Sequence, residues 1–454
     1  MLLFGAVIWI LSAPAPTAAQ VSPAFYTYVR SDLDWYTIET EHFLIHFHVD
    51  ETGSGSSRTA RVVSKIVEDI YAPITSLYDY EPDTKVSFVI KDFEDYSNGA
   101  AYFFDNVIEI WTPALNTAFR GSHHWLRNVI THEFTHMVQV QKSMKGSRRV
   151  PFYYLQILNY EDVRRPDVLY GFPNVIATYP IPILNNPAWL AEGTAQYQRQ
   201  WMNYDHWDTH RDMLLRTRIL AGEELSLADM GGFYSHTSLM REGVYNQGFA
   251  FTTYLANRFG EAGLKSVTEE LGAWSNWNFE SAAKDAFGVT GDQLYEEWIT
   301  SLREEYSERT AEIRANESSG ATLVEKGFNN FYPRFSPDGE KIAYLSNEGE
   351  DYSRTRIHVL NLRAGSETVV ELPGVGQRFV TGFTCSFGHA LTKSVSGAID
   401  WHPDGNSIVY ARIRDTKYGH LYSDLYSIDI ATETETRLTT ELRARSPSTV
   451  RMVR

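Results

Sequence analysis

The sequence lacks the features of disulfide-linked, membrane-spanning and nucleic-acid-binding proteins. Its 454 residues include one cysteine, Cys385, so no intrachain disulfide can form and packing must stabilise the chain. No apolar run beyond Ala19 is long enough for a transmembrane helix. Lysine and arginine number 41 against 57 aspartates and glutamates, giving a net charge of −16 with no basic run. This balance argues against nucleic acid and anionic membrane surfaces as partners.

The first residues have the pattern of a secretory signal peptide. An apolar run from Met1 to Leu11 is followed by small and proline-rich residues that end near Ala19. We predict a signal peptide over residues 1–19, although its usual basic segment is missing and the natural start could lie upstream. A short membrane anchor or a buried strand is the alternative. Export without disulfides predicts a protein of the bacterial periplasm, the outer envelope or the secreted fraction.

The stretch from Thr131 to Met137 is the one place where residue types and spacing together imply a reaction. His132 and His136 are four residues apart, so in a helix both imidazoles lie on one face and can reach the same ion. Glu133 projects beside them and can hold a metal-bound water without binding the metal. This HExxH spacing is typical of zinc hydrolases. Because it arises by chance in on the order of one per cent of chains this long, a third ligand is needed.

Glu192 is the strongest candidate for the third zinc ligand. Asn186 is a plausible helix cap and Pro187 suits the first helical position, and the apolar residues that follow would direct Glu192 into a core. An unpartnered carboxylate in a core costs several kcal/mol, so burial beside a metal explains this glutamate better than burial alone. A solvent-exposed glutamate on an amphipathic helix is the alternative.

Given three zinc ligands, we predict that Glu133 acts as general base and then as general acid. The oxyanion that forms during hydrolysis needs a further hydrogen-bond donor. Tyr245 and His236 lie in a plausible region, and we prefer Tyr245. A tyrosine that only packs in a core or an interface fits that position equally well.

Periodicity predicts a short sheet ahead of the motif and helices after it. The predicted strands are 41–49, 85–90 and 106–111, with a turn at 98–100; the predicted helices are 58–78, 122 to before 146, 186–197, 208–221, 244–259, 261–272 and 291–314. Ser122 is a plausible N-cap of the helix that carries the motif. Residues 147–186 are predicted to be irregular and to serve as a lid or substrate wall. Three histidines of the first strand share a face but lack a carboxylate, so we interpret them as packed or solvent-facing: His42, His46 and His48.

The last part of the chain contains an internal repeat. Residues 335–344 recur as residues 401–410, an offset of 66, and each copy carries Pro-Asp-Gly between two predicted strands. Each repeat therefore predicts a small antiparallel sheet, the unit of a β-propeller blade. Two blades cannot close a ring, and the chain stops where a third would begin. We therefore expect a truncated product or a fragment, in which this segment is the least stable part.

The motifs resemble those of known families. Two segments resemble the gluzincin metallopeptidases of the thermolysin-like, peptidase MA type: His132 to His136, and Trp-Leu-Ala-Glu-Gly at 189–193. In that family the glutamate of the second segment is the third ligand. Residues 244–249 resemble a downstream helix of the same family. Gln196 departs from the pattern, since an aspartate that orients a histidine often stands there. The repeats resemble the WD40-like blades of TolB-type periplasmic proteins.

These resemblances imply an α+β fold in two parts. A zincin-like, two-lobed peptidase domain with a short mixed sheet plus helices would occupy residues 20–316, and an incomplete all-β propeller segment would occupy residues 317–454. In a zincin the last strand ahead of the motif helix usually forms the edge at which an extended peptide pairs its backbone.

The function that we predict is an exported endopeptidase with Zn2+ as its cofactor and a peptide or protein as its substrate. The propeller segment would bind a protein partner, and no transmembrane helix would remain after signal removal. One alternative is a non-catalytic envelope scaffold with a vestigial peptidase fold. Another is a metal-dependent hydrolase that acts on a different bond. The intact set of His132, Glu133, His136 and Glu192 favours an enzyme.

Overall fold

The structure is a computed structural model. It describes residues 33–49, 55–115, 117, 119–149, 153–159, 175–181, 184–233, 237–327, 329–348, 355–370, 372, 395, 397–415 and 420–449. The predicted signal peptide, Cys385 and His236 lie outside these residues. Within them, no helix combines the length and the apolar character needed to cross a bilayer.

A five-stranded mixed sheet opens the described chain. Its strands are β1 (Asp34–Glu39), β2 (Phe43–Val49), β3 (Val86–Lys91), β4 (Gly99–Tyr102) and β5 (Val107–Trp111), in the order β1-β2-β3-β5-β4. Strands β2, β3 and β5 run parallel, whereas β1 and β4 run antiparallel to their neighbours. Alternate residues of β3 are fully buried because successive side chains of a strand point to opposite faces.

Two predictions about this sheet are wrong. Residues 98–100, which were predicted to form a turn, instead lead into β4 and supply its first two residues. The strand β5, which was predicted to be the edge strand, lies inside the sheet. A tight turn with Asn106 at a φ of 52° reverses the chain between the two strands, so that β4 pairs with the outer side of β5 and becomes the edge. The small residues of β4 carry little strand propensity, so its conformation depends on pairing with β5.

The helices largely follow the predicted segments. They are α1 (Ser57–Tyr78), α2 (Trp125–Lys142), α3 (Ala188–Tyr197), α4 (Thr209–Ala221), α5 (Ser238–Gly272), α6 (Phe279–Phe287), α7 (Gly291–Arg309) and α8 (Ala311–Ala315). The two helices predicted at 244–259 and 261–272 are joined in α5, interrupted where Gly260 adopts a φ of 74°. Helix α6 was not predicted.

Both predicted caps around the motif are wrong. Helix α2 begins after His124, and its approach is fixed by Asp208, whose carboxylate accepts from the Gly121 amide at 2.9 Å. Helix α3 begins after Pro187, and the Asn186 side chain donates instead to Gln139 of α2 at 2.7 Å. In each case a contact distant in sequence replaces the local cap that the sequence favours.

Two hydrophobic cores lie on either side of the motif helix. The first is formed by the sheet with α1 and α2, where Phe43, Phe88 and Phe134 are fully buried. The second is formed by the helices from α3 onward, around Trp189 and Phe251. Helices α2 and α3 pack against each other where the two cores meet, and the two-lobed peptidase domain stays a prediction.

The segment predicted to be irregular at 147–186 contains two paired strands. Strands β6 (Tyr153–Asn159) and β7 (Val175–Ile181) form an antiparallel two-stranded sheet. The prediction is therefore wrong for these residues. The periodicity of the sequence does not show this pairing, because the hydrogen bonds join residues that are far apart along the chain.

The three histidines of the first predicted strand have separate surroundings. His42 lies 2.7 Å from a carboxylate oxygen of Glu68, and His46 lies 2.9 Å from the Thr37 hydroxyl. His48 is buried at 2% exposure. It lies on the same face of β2 as His46, as expected, because the pairing with β1 runs without a bulge. All three pack or pair with protein groups.

The two repeats form two four-stranded antiparallel sheets. The first contains β8 (Asn330–Phe335), β9 (Lys341–Ser346), β10 (Arg356–Asn361) and β11 (Glu367–Val370); the second contains β12 (Asp400–Trp401), β13 (Ser407–Asp415), β14 (Leu421–Asp429) and β15 (Glu435–Arg437). Gly339 and Gly405 turn the chain at φ of 72° and 74°, as the Pro-Asp-Gly motif predicts. The antiparallel sheets are confirmed. The described residues form no closed ring, so a propeller remains a prediction.

Candidate metal centre

Helix α2 carries the motif and lies between the first core and helix α3. Its inward face buries Ile130, Phe134, Met137 and Val138. The buried hydroxyl of Thr135 donates to the Thr131 carbonyl at 2.7 Å, so this polar group is satisfied within the helix. His132 and His136, one turn apart, lie on the opposite face and are each partly buried. The sheet core therefore fixes the direction in which both imidazoles point.

Helix α3 carries Glu192 and is anchored by the second core. Trp189 is 1% exposed and packs against Phe251 at 4.9 Å and Phe279 at 4.8 Å between ring centroids. These contacts fix one face of the short helix. Glu192, at 3% exposure, projects from it towards α2. The sequence prediction that Glu192 is a buried carboxylate agrees with the structure.

Two glycines allow α3 to cross α5 at close range. A methyl group built on Gly193 would lie 2.5 Å from the Gly248 carbonyl oxygen, and one built on Gly248 would lie 2.7 Å from the Trp189 carbonyl oxygen. Any side chain at either position would therefore force the two backbones apart. Because Gly193 follows Glu192 directly, this crossing also sets the depth of the carboxylate.

His132, His136 and Glu192 converge on one point. One Glu192 carboxylate oxygen lies 3.2 Å from the Nε2 atom of each histidine, and the two Nε2 atoms are 3.1 Å apart. Ligands of a tetrahedral zinc ion, with bonds of about 2.0–2.1 Å, lie about 3.3 Å from one another. The three residues therefore fit a zinc ion in the nature of the donor atoms, in their number and in their spacing.

The charges in this cluster favour a cation. Burial alone would raise the pKa of Glu192, but His136 and His132 outweigh it and hold that pKa well below its usual range. Burial alone would lower the pKa of His136, but the Glu192 carboxylate outweighs it and raises that pKa. The buried carboxylate is thus held ionised and demands a positive charge beside it, as a proton or as a metal ion.

Glu133 lies beside the cluster and against the edge strand β4. It is 6% exposed, and burial raises its pKa, partly offset by His132 and His136 and by a backbone hydrogen bond from Ala101. A methyl group built on Gly99 would lie 2.7 Å from the Cγ atom of Glu133 and closer still to its Oε1 atom, so this position has no room for a side chain. A raised pKa suits a group that must accept and return a proton near neutral pH.

Tyr245 lies in α5, beside Arg120 and Phe233. The Arg120 guanidinium lies 4.9 Å from its ring centroid, and the Phe233 ring lies 5.5 Å from it. Neither residue belongs to the His132, His136 and Glu192 cluster. The oxyanion role of Tyr245 therefore stays a prediction, and the alternative candidate, His236, lies outside the described residues.

Gln196 marks the departure from the thermolysin-like pattern. It is completely buried one turn after Glu192, and neither its Oε1 nor its Nε2 atom has a hydrogen-bond partner among the residues that the structure describes. No contact in the described chain shows Gln196 orienting a histidine.

The contribution of β4 is the feature of the site that the sequence did not reveal. Its signal is present as Gly99-Ala100-Ala101, three small residues at a place where a backbone must approach another group closely. The adjacent turn residues obscured that signal, since glycine after asparagine also indicates a turn.

Comparisons with known proteins yield matches to solved structures alone. No protein-family model and no curated protein matches the chain. It is similar to TolB from Acinetobacter baumannii, with 24% identity over 27% of this chain and 24% of TolB, at a TM-score of 0.19. It is also similar to the β-propeller domain of the Trilobed protease from Pyrococcus furiosus, with 20% identity over 24% of this chain and 29% of that one, at a TM-score of 0.17.

A longer match is with an aminopeptidase N family protein from Idiomarina loihiensis. The identity is 12% over 74% of this chain and 66% of that one, at a TM-score of 0.35. The chain thus spans about a quarter of TolB and just under two thirds of the aminopeptidase N family protein. At these identities and TM-scores the matches carry no inference about function.

Proposed function

We propose that the protein is a zinc-dependent peptidase whose metal ligands are His132, His136 and Glu192. The observation that carries this proposal is their convergence from two helices that belong to two different cores, with ligand atoms 3.1–3.2 Å apart. Two neutral imidazoles and a carboxylate are a donor set that zinc uses in hydrolytic sites, where a fourth position stays open for water.

Glu133 is the proton-transfer group of the proposed reaction. Bound zinc supplies a Lewis acid that lowers the pKa of water and polarises a carbonyl group. The Glu133 carboxylate accepts a proton from the attacking water and then delivers it to the leaving amine. Its burial beside β4 excludes bulk water and raises its pKa, which helps it to perform both transfers.

The edge position of β4 supports a peptide as the substrate. Among the residues that the structure describes, β4 pairs with β5 alone, so its other side is a sheet edge next to Glu133, where the Ala101 amide donates to the Glu133 carboxylate. An extended peptide can add to such an edge as a further strand, which brings one of its carbonyl groups towards the metal. This feature favours a peptide bond over other hydrolysable bonds. From the pattern of residues 1–19, we also propose that the enzyme is exported.

Removal of the metal is expected to abolish peptide hydrolysis. Incubation with 1,10-phenanthroline followed by dialysis should bring cleavage of a fluorogenic peptide library to background, because the water then loses its activating charge. One equivalent of Zn2+ should restore the rate, whereas Mg2+ should not, since it prefers oxygen ligands in octahedral geometry. Circular dichroism before and after dialysis checks that the apoprotein stays folded. Full activity of a folded, zinc-free protein would overturn the proposal.

A further inference from the structure

The segment between β3 and β4 is held by the second repeat sheet. Leu421 makes two backbone hydrogen bonds to this segment. The Asp95 amide donates to the Leu421 carbonyl at 2.7 Å, and the Leu421 amide donates to the Phe93 carbonyl at 2.9 Å. Glu94 and Leu421 thereby form a parallel bridge. Leu421 is the first residue of β14, so this strand also pairs with the segment ahead of β4, more than 300 positions earlier in the chain.

Asp95 is the centre of this contact. It is 3% exposed, and one carboxylate oxygen accepts from the Arg443 guanidinium at 2.6 and 2.7 Å while the other accepts from the Ser423 amide at 2.9 Å. Arg445 donates to the Asp95 carbonyl oxygen. A buried carboxylate that accepts three charge-assisted or backbone hydrogen bonds is strongly fixed in position.

Arg443 also binds a second residue of the same segment. Its guanidinium lies 2.9 Å from a carboxylate oxygen of Asp92 and 4.7 Å from the ring centroid of Tyr422. The Tyr422 hydroxyl in turn donates to the Asp92 carbonyl at 3.4 Å. A planar guanidinium with five donors can bridge two carboxylates in fixed geometry, which a lysine cannot do.

The opposite side of the segment is attached to the five-stranded sheet. The Trp111 indole donates to Glu94 at 2.9 Å, and the Asp92 amide donates to His48 at 3.3 Å. Four residues after Asp95 the chain enters β4 at Gly99, directly beside Glu133. The segment is therefore fixed from both sides immediately before the strand that lines the metal centre.

We propose that Asp95 and Arg443 are positioning residues that hold β4 against Glu133. Through them, the second repeat sheet helps to set the geometry of the peptidase site. They act through the backbone of residues 95–99 and touch neither the metal ligands nor Glu133. This inference rests on the proposed function for its catalytic consequence, while the fixing of β4 is a separate property of the fold.

The test compares Arg443→Ala and Asp95→Asn with a matched control, Arg414→Ala. Arg414 lies on β13 of the second repeat sheet, and Arg443 follows β15 in the chain. Their side-chain exposures are 30% and 33%, but Arg414 pairs with Glu435 within the sheet. The variants are made in the full chain loaded with zinc. Hydrogen exchange of residues 99–102, zinc content, and kcat and KM for an extended peptide are measured on each.

We expect exchange at residues 99–102 to rise by about tenfold in Arg443→Ala and Asp95→Asn, because β4 loses its anchor. Exchange in α2 and zinc content should be unchanged. The value of kcat/KM should fall by about 10- to 100-fold, as displacement of a group near reacting atoms does, and Arg414→Ala should match the wild type. Arg443→Lys keeps the charge but loses the double contact. Its exchange rate at residues 99–102 and its kcat/KM should both lie between those of Arg443→Ala and the wild type.

Unchanged exchange at residues 99–102 in the folded variants would overturn the inference. So would raised exchange with an unchanged kcat/KM, since β4 would then be loosened without consequence for the reaction. If the wild type cleaves no peptide, the proposed function fails, and hydrogen exchange by itself decides whether Asp95 and Arg443 hold β4.

Discussion

Glu133→Gln is expected to lower kcat for peptide hydrolysis by about 10²- to 10⁴-fold, the range for loss of a general acid–base group. Glutamine has nearly the same shape as glutamate but cannot accept the proton of the attacking water. Glu133 is buried beside the His132, His136 and Glu192 cluster and does not belong to it. Bound zinc should therefore remain at the wild-type level, and KM should change little.

The control for this substitution is Glu269→Gln on α5, whose side chain is 41% exposed. It removes the same charge from the chain and should keep wild-type kinetics. Steady-state cleavage of one fluorogenic peptide and metal analysis of each purified protein are the measurements. Retention of wild-type kcat in Glu133→Gln, with zinc bound, would remove Glu133 from the mechanism.

Gly193→Ala is expected to destabilise the protein by about 3 kcal/mol or more, at the upper end of what overpacking costs. The added methyl group meets the Gly248 carbonyl at 2.5 Å, and a backbone atom between two packed helices cannot move aside as a flexible side chain can. Alanine improves helix propensity by about 1 kcal/mol relative to glycine, so the clash outweighs this gain. The displaced helix also carries Glu192, so zinc affinity should fall as well.

Gly231→Ala provides the matched comparison, because a methyl group built there meets no described residue beyond its two chain neighbours within 4 Å. Its stability should stay within about 0.5 kcal/mol of the wild type, as for most surface substitutions. Urea unfolding of the apoproteins, followed by fluorescence, gives both free energies. Equal midpoints for Gly193→Ala and the wild type would show that α3 and α5 do not cross as closely as the structure has them.

Most of the helices and the cluster of His132, His136 and Glu192 could be predicted because their signals are local. His132 and His136 share a helix, so their spacing alone places both imidazoles on one face. Trp189 and Leu190 indicate a helix that packs into a core, and in the structure this packing places Glu192 in the interior. The Pro-Asp-Gly repeats likewise specify their own turns, since Gly339 and Gly405 adopt the positive φ that the turn requires.

The parts that sequence reasoning missed depend on partners distant along the chain. Strand β4 exists because β5 pairs with it, and the approach to α2 is fixed by Asp208 rather than by Ser122. The contact between Asp95 and Arg443 joins residues 348 positions apart, and neither residue carries a local pattern that names the other. Long-range pairing of this kind is set by the tertiary fold and not by propensity.

The most direct test of the metal centre is the zinc content of the wild type and of Glu192→Ala. Each protein is stripped, titrated with Zn2+ against a competing chelator, and analysed for bound metal. We predict one zinc per wild-type chain, and for Glu192→Ala an affinity lower by at least about 100-fold, the upper range for loss of an outer-shell partner. A folded wild type that binds no zinc, or equal affinities in the two proteins, would contradict the assignment of His132, His136 and Glu192 as its ligands.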